Sequence, residues 1–143
     1  MSRRISVVGA LGVVAAVIFV GILATGRESL GSVGGRFMSA LAKGDVDTLT
    51  KMSYLGNEPE DQIRKEWDFA VNTAGKYYNF TFRITGSLQS NDKTGSVNMQ
   101  LMRDATSAGS YEEVYELPLV KVGDDWKIDV KSISREMYPA LPQ

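Results

Sequence analysis

The chain of 143 residues contains no histidine and no cysteine. Histidine is the commonest general base and the commonest metal ligand, so its absence excludes Ser-His-Asp triads, Cys-His dyads and histidine metal sites. The absence of cysteine excludes disulfides, thiolate nucleophiles, cysteine zinc sites and a cysteine-linked lipid anchor. Any enzyme built from this chain would have to work with Asp, Glu, Lys, Tyr or Arg.

The chain also lacks an excess of basic residues. Of its 16 Lys and Arg residues, Arg3 and Arg4 precede a long apolar segment, which leaves 14 against 17 Asp and Glu residues and a net charge of −3. A nucleic-acid surface needs a basic stripe, so we expect no nucleic-acid partner. We also find no phosphate loop and no set of metal ligands, and we expect no cofactor, no metal and no catalytic residue.

Residues 5–24 form an apolar segment of about twenty residues without a charge. A helix of that length spans roughly 30 Å, the thickness of the hydrocarbon core of a bilayer. We predict an uncleaved membrane anchor, because the apolar core of a signal peptide is usually shorter. A cleaved signal peptide is the alternative, since Ala24 and Gly26 are small residues suited to a cleavage site.

We therefore expect residues 1–27 to be a short cytoplasmic stub and a single transmembrane helix in the inner (cytoplasmic) membrane. The charged N-terminus stays inside and the folded part lies in the periplasm or an equivalent extracytoplasmic space. Gly12 and Ala16 have the spacing that lets two membrane helices approach closely, and Gly9 lies nearby on the helix surface. The expected partners are membrane lipid and other membrane-protein subunits, although small residues are common in membrane spans without any pairing.

Amphipathic stripes and glycines predict three helices after a short linker at residues 28–31. The first covers residues 32–43. The second follows a capping Asp45. The third starts behind a capping Asn57 and ends at Gly75.

After the third helix the apolar period changes from 3.6 to 2, which predicts four strands joined by short turns. We expect Arg103 on the outer face of the second strand and a bulge or sheet edge at Pro118. The third strand covers residues 111–122. Helices followed by strands indicate an α+β domain over residues 32–134, with three helices on a curved antiparallel sheet of about four strands. The expected inward residues of the other strands are Tyr78, Phe80, Phe82 and Ile84, then Val97, Met99 and Leu101, and finally Trp126, Ile128 and Val130.

Two segments resemble the nuclear transport factor 2-like superfamily, whose cone-shaped fold is shared with ketosteroid isomerase. One is VGGRFMSALAKGDVDTLTKMS (residues 33–53), a helix, a Gly-Asp break and a second helix. The other is VKVGDDWKIDVKSI (residues 120–133), a closing hairpin with a Gly-Asp turn. The resemblance implies a cone-like domain, most similar to membrane-anchored bacterial members of unassigned role, and makes a homodimer through the sheets an option.

The enzymatic members of that superfamily place Asp, His, Tyr or Arg inside the cone. Histidine is absent here, and alternation puts Arg83 on the face opposite Phe80 and Phe82. We therefore expect no catalysis. The remaining candidates for such a role are Tyr77, Tyr78, Asp68, Arg83, Tyr111 and Tyr115.

Two further features each allow a functional and a structural interpretation. Trp67, Tyr78, Phe80 and Phe82 are candidates for lining an apolar ligand cavity, although such rings usually form the core of a small domain. A hard cation could bind an acidic group, although a hairpin turn and a solvated strand face explain it without a metal. That group consists of Glu112, Glu113, Glu116, Asp124 and Asp125.

The last nine residues, 135–143, form an apolar tail without a helical or strand period. Such a tail is either frayed or docks onto a partner, and its candidate docking residues are Met137, Tyr138 and Leu141.

Taken together, the sequence predicts a non-catalytic single-pass membrane protein. It would act as an accessory or structural subunit of a larger respiratory, photosynthetic or transport complex. A binding module for a small apolar or lipid-like ligand is the alternative. An isomerase- or dehydratase-like enzyme is the third and weakest interpretation.

Overall fold

A computed structural model describes residues 28–103 and 112–143. The predicted anchor over residues 1–27, with Gly9, Gly12 and Ala16, lies outside the described residues. Within the two described ranges, no helix combines the length and the apolar character needed to cross a membrane.

The described residues form three α-helices and five strands. The helices are α1 (Leu30–Lys43), α2 (Val46–Met52) and α3 (Glu60–Phe69), and α3 continues into a π-helical turn at Ala70–Ala74. The strands are β1 (Ser53–Tyr54), β2 (Phe80–Gln89), β3 (Thr94–Arg103), β4 (Glu112–Val122) and β5 (Asp125–Asp129), followed by a 3₁₀ turn at Val130–Ser132.

Two of the three helix starts follow from capping residues. α1 begins at Leu30 behind Ser29, whose side chain accepts a hydrogen bond from the first turn at 3.1 Å, so the linker is two residues shorter than predicted. α2 begins behind Asp45, as predicted, and the Asp45 carboxylate accepts a backbone hydrogen bond at 3.2 Å. α3 begins at Glu60 without a side-chain cap, so the prediction that Asn57 caps this helix is wrong.

The sheet has the order β1-β5-β4-β3-β2. β2, β3, β4 and β5 pair antiparallel as predicted, whereas β1 pairs parallel to β5 through Ser53 opposite Ile128. The sheet is therefore mixed and has five strands, where the sequence predicted about four antiparallel ones. A strand of two residues is too short to show any period, so only the fold reveals β1.

Pro118 lies inside β4, opposite Ser96 of β3, and there is no bulge at this point. The ladder between β4 and β5 begins one residue later, at Leu119. Pro118 therefore stands where β4 stops being paired on both sides, which is a local edge within an interior strand. The bulge of this sheet lies instead in β2, between Ile84 and Gly86.

The core lies between the helices and one face of the sheet, which we call the inner face. The helices contribute Phe37 and Trp67, both fully buried, and their rings pack edge to face at 5.7 Å. Trp126, predicted in the core, is only half-buried, and the Lys121 ammonium lies 5.8 Å from the centre of its ring. The fully buried residues of the inner face are Val97, Met99, Leu117 and Ile128, with Leu101 and Leu119 almost as deeply buried.

Two adjacent glycines of α1 give a matched test of how closely this helix packs on the sheet. A Cβ at Gly34 would lie 2.9 Å from Val97 Cγ1, whereas a Cβ at Gly35 would meet nothing within 4 Å. We expect Gly34→Ala to lower the free energy of unfolding by about 1–3 kcal/mol through overpacking. Gly35→Ala should raise it by up to about 1 kcal/mol through helix propensity. Urea unfolding of the whole chain in detergent, followed by tryptophan fluorescence, measures both.

Candidate functional site

The inner face of the sheet changes from apolar to polar towards one end. Strand alternation continues the buried row of β3 from Leu101 to Arg103, and that of β4 from Leu117 back to Tyr115 and Glu113. These last three side chains meet at the end of the sheet away from the β2–β3 turn. We call Arg103, Glu113 and Tyr115 the ionic cluster.

The ionic cluster is held together by a forked ion pair. Arg103 Nε donates to Glu113 Oε2 at 2.7 Å, and Arg103 Nη2 donates to Glu113 Oε1 at 2.9 Å. Arg103 Nη2 also donates to the Tyr115 hydroxyl oxygen at 3.1 Å, and the Tyr115 hydroxyl donates to Glu113. Both carboxylate oxygens are therefore engaged, in the two-pronged geometry that makes such pairs strong.

The electrostatics of the cluster follow from these bonds. Hydrogen bonds from Arg103 and then Tyr115 lower the pKa of Glu113. The pKa of Arg103 is raised, mainly by its hydrogen bonds to Glu113. Burial is the main cause of the raised pKa of Tyr115. Glu113 is thus held ionised and Tyr115 neutral, whereas a general base needs a pKa near the working pH.

The ionic cluster also holds the C-terminal tail. Arg103 donates to the backbone carbonyl of Glu136, and the Tyr78 hydroxyl donates to the carbonyl of Met137 at 2.8 Å. The Arg103 guanidinium lies 4.9 Å from the centre of the Tyr78 ring, within the range of a cation–π contact. The tail is therefore fastened by its backbone as well as by its side chains.

The side chains of the tail enter the core of the domain. Met137, Tyr138 and Leu141 are all buried. The Tyr138 ring packs edge to face on Tyr78 at 5.0 Å and on Phe80 at 6.2 Å. Sequence analysis expected a frayed tail or one that docks on a partner through these three residues. Instead it docks on its own domain, because its apolar side chains complete the core.

The four residues considered for an apolar cavity all pack against the core. Trp67 lies in one part of it, and Tyr78, Phe80 and Phe82 lie in another. Trp67 is fully buried, and its Nε1 donates to the Ser53 hydroxyl at 2.7 Å. Tyr78 and Phe80 form the ring cluster with Tyr138, and Phe82 is half-buried on the same face. The structure thus brings Tyr78 and Phe80 together with a ring of the tail.

Most of the other residues considered for catalysis lie elsewhere. Tyr77 is 83% exposed. Asp68 is exposed and accepts a hydrogen bond from Asn72 at 2.8 Å. Arg83 is on the outer face, as predicted, and donates to Gln100. Tyr111 lies outside the described residues, which leaves Tyr78 and Tyr115 on the inner face.

The acidic residues considered for a hard cation do not share one place. Glu113 belongs to the ionic cluster, while Glu112 faces outward and lies 3.8 Å from Arg83. Asp124 lies in the β4–β5 turn and Asp125 is the first residue of β5, both at the other end of β4. Among residues 28–103 and 112–143, no three acidic side chains are grouped so as to hold a metal ion.

Sequence analysis missed Arg103 and Glu113 as inner-face residues. Arg103 was assigned to the outer face with Asn98 and Gln100, and that assignment is wrong. A strict period of 2 from Leu101 places Arg103 inward. The same period from Tyr115 places Glu113 inward, so the signal was present but was overridden by the expectation that charges face water.

A second feature is an open groove of about 500 Å³ between α3 and the tail. Its walls include Phe69, which is 54% exposed, and Glu66, which accepts a hydrogen bond from the Gln143 amide at 3.3 Å. Glu58 lies beside Glu66, and its Oε1 is the one buried side-chain oxygen or nitrogen without a hydrogen-bond partner in the described part of the chain. Burial, and then the neighbouring Glu66, raise the pKa of Glu58.

No protein-family model matches the sequence, and no curated protein matches it. Solved structures similar to this domain include a ketosteroid isomerase-like protein from Erwinia carotovora atroseptica, at 11% identity and a TM-score of 0.44, covering 67% of this chain and 85% of that one. An NTF-2 like protein of unknown function from Shewanella oneidensis is 15% identical, with a TM-score of 0.44, covering 67% and 88%. A SEC-C motif containing protein from Rhodopseudomonas palustris is 15% identical, with a TM-score of 0.49, covering 76% and 84%. All three similarities are below 25% identity and below a TM-score of 0.5, and no property of these proteins is assigned to this chain.

The ionic cluster predicts a loss of stability in acid. Because the pKa of Glu113 is lowered from its ordinary value of 4.5, its contribution is present above that pH and is lost as the pH falls through the folded-state pKa. We expect Glu113→Gln to cost about 1–2 kcal/mol at neutral pH and much less in acid. Unfolding free energies of both proteins between neutral pH and pH 3 test this. Glu112→Gln, one residue away on the outer face, is the control, and an equal pH dependence in the two variants would contradict this stabilising role of the ionic cluster.

The raised pKa of Glu58 predicts a pH dependence of stability opposite in sign to that of Glu113. Because its pKa is raised, the folded state favours the protonated form, and its contribution is present below the ordinary 4.5 and lost as the pH rises through the folded-state pKa. Glu58→Gln should therefore be more stable than the original protein at neutral pH, with the difference disappearing in acid. Asp61→Asn, at an exposed acid of α3, is the control. A Gln variant that is less stable at neutral pH would show that the Glu58 carboxylate is ionised and paired.

Proposed function

We propose that this chain is a non-catalytic membrane protein whose folded domain works by contact, as an accessory or structural subunit of a larger membrane complex. The observation that supports this best is the closure of the inner face by the chain's own tail. Met137 and Tyr138 occupy the side of the sheet where the resemblance implies that an enzyme would hold its substrate.

The chemistry of the ionic cluster supports the same proposal. Glu113 has both oxygens engaged and a lowered pKa, which makes it a weak base. Arg103 is bound to Glu113 and to the tail, and Tyr115 has a raised pKa. These groups stabilise one another and the tail, which is the behaviour of a structural clamp.

We propose membrane attachment on the basis of the amino-acid sequence. The apolar segment at residues 5–24 is long enough to span a bilayer. Positive charges flank it on both sides, Arg3 and Arg4 before it and Arg27, Arg36 and Lys43 after it, and the short charged N-terminus closest to it favours the cytoplasmic side. The domain would then lie on the periplasmic or extracytoplasmic side of the inner membrane. The anchor keeps it beside its partners, in a respiratory, photosynthetic or transport complex.

The outer face of the sheet is the contact surface that we propose. Val114, the third residue of β4, is 70% exposed on this face, and Met102, Pro118 and Val120 lie on the same face, each half-buried. The helices pack on the opposite face, so this side can meet a partner subunit. A second copy of the chain is the competing occupant, since homodimers through the sheet are an option that the resemblance implies.

Affinity purification of the whole chain from membranes in mild detergent, followed by native electrophoresis, tests the proposal. We expect a stoichiometric partner. Val114→Arg should reduce its recovery, because a buried charge at the contact is costly. Tyr77→Arg, at a more exposed residue away from the sheet face, should leave recovery unchanged.

Two results would contradict the subunit proposal. One is recovery of the chain alone at every detergent strength, and the other is recovery as a homodimer only, which would assign the outer face to a second copy.

A binding module for a small apolar or lipid-like ligand remains the second candidate, because of the groove beside Phe69. That ring is exposed next to Leu141 and Pro142, in a space of about 500 Å³. Native mass spectrometry of the chain purified in detergent would detect a retained ligand. Loss of that ligand in Phe69→Ser, with the fold intact, would favour this candidate over the first.

A further inference from the structure

Three parts of the domain meet at one end, which we call the hairpin end. They are the β2–β3 turn at residues 90–93, the β4–β5 turn at Gly123 and the first turn of α1. The Lys121 amide donates to the Lys93 carbonyl at 2.8 Å, which joins the two hairpins. A Cβ at Gly95, the second residue of β3, would lie 2.8 Å from Leu30 Cδ1, so α1 starts beside the same turn.

The hairpin end exposes apolar side chains that the fold leaves uncovered. Leu88 is 63% exposed near the end of β2, and Val122 is 41% exposed at the end of β4. Both stand next to the turns, at the rim of the outer face: Leu88 pairs with Ser96, which lies opposite Pro118, and Val122 follows Val120 on the same side of β4. Their exposure has no packing explanation within the described residues.

The charges of the two turns nearly cancel. Lys93 and Lys121 are opposed by Asp92, Asp124 and Asp125. A surface of this kind is not steered by long-range electrostatics. We therefore look for a binding partner that the apolar side chains attract and that the rest of the chain holds near the hairpin end.

The distance between the hairpin end and the membrane is limited by the number of residues between the apolar segment and α1. Five residues separate the apolar segment, which ends at Ala24, from Leu30. They span at most about 18 Å when fully extended. The headgroup layer occupies roughly 6 Å of that distance on each side of the bilayer. With the proposed anchor in the bilayer, the start of α1 would be tethered close to the membrane surface, while the far end of β2, at Phe80, lies about 30 Å along the strand from the hairpin end.

We propose that the hairpin end rests on the lipid bilayer, with Leu88 and Val122 among the lipid headgroups. The proposal rests on the membrane anchor of the proposed function and adds the orientation of the domain. The ionic cluster and the C-terminal tail then face away from the membrane. The outer face of the sheet stands roughly upright, where a neighbouring subunit can reach it.

Single-cysteine labelling tests this orientation, because the chain has no cysteine of its own. Leu88→Cys and Tyr77→Cys both change well-exposed residues, and Tyr77 lies before the start of β2, at the opposite end of the domain. Each variant of the whole chain is labelled with a fluorophore in nanodiscs of phosphatidylcholine and phosphatidylglycerol. The quencher is a nitroxide on the lipid headgroup.

We expect the label at position 88 to be quenched several-fold more than the label at position 77. High salt should leave the quenching unchanged, since the charges of the two turns nearly cancel. Equal weak quenching at both positions would mean that the domain stands clear of the bilayer. Stronger quenching at position 77, or loss of quenching in salt, would also overturn the apolar contact.

A separate experiment tests whether residues 5–24 anchor the chain in the membrane. Alkaline carbonate washing of membranes that contain the unlabelled chain should leave it in the pellet. Release of the intact chain would contradict both the proposed function and the orientation. Retention together with equal quenching would contradict the orientation alone.

Discussion

The forked ion pair between Arg103 and Glu113 is the interaction on which the polar end of the inner face depends. It neutralises two charges at the end of an apolar sheet surface, and the same guanidinium reaches the backbone of the tail at Glu136. Removing either partner would leave a charge in a half-buried position, which costs more than the pair itself contributes. The pair therefore joins the last two long strands to the tail.

Holding the tail in place completes the core. Met137 and Tyr138 become buried, and Tyr138 completes a ring cluster with Tyr78 and Phe80. The groups that could have formed a reactive site are used instead to satisfy one another. For this reason we propose that the domain binds partner subunits and does not catalyse a reaction.

Much of the architecture could be predicted because its signals are local. The end of α1 at Gly44, which has the left-handed backbone conformation, the Asp45 cap of α2 and the alternation in β2 and β3 each depend on a few neighbouring residues. β1 could not be predicted, because Ser53 and Tyr54 become a strand only when β5 lies beside them. The cap of α3 was predicted wrongly, because a suitable Asn57 does not ensure that the helix starts there.

The candidate site was predicted less well than the fold. Tyr78 and Tyr115 were recognised as aromatic candidates, but Arg103 and Glu113 were assigned to solvent because charged residues usually face it. Their exposure depends on what lies opposite them, and this is decided by residues 10 to 33 positions away in the chain. The tail shows the same limit, since an apolar segment without a period has no local partner to reveal its docking.

The sequence alone determined the order of the three helices and of the four strands that follow them, the absence of histidine and cysteine chemistry, and an apolar segment long enough for a membrane. These properties depend on residue type and short-range spacing. Only the tertiary structure decided that the tail belongs to the core, that Arg103 and Glu113 meet in an ion pair, and that α1 starts beside both hairpin turns. Those features arise when strands distant in the chain are brought together, and the pairing of distant residues leaves no local pattern.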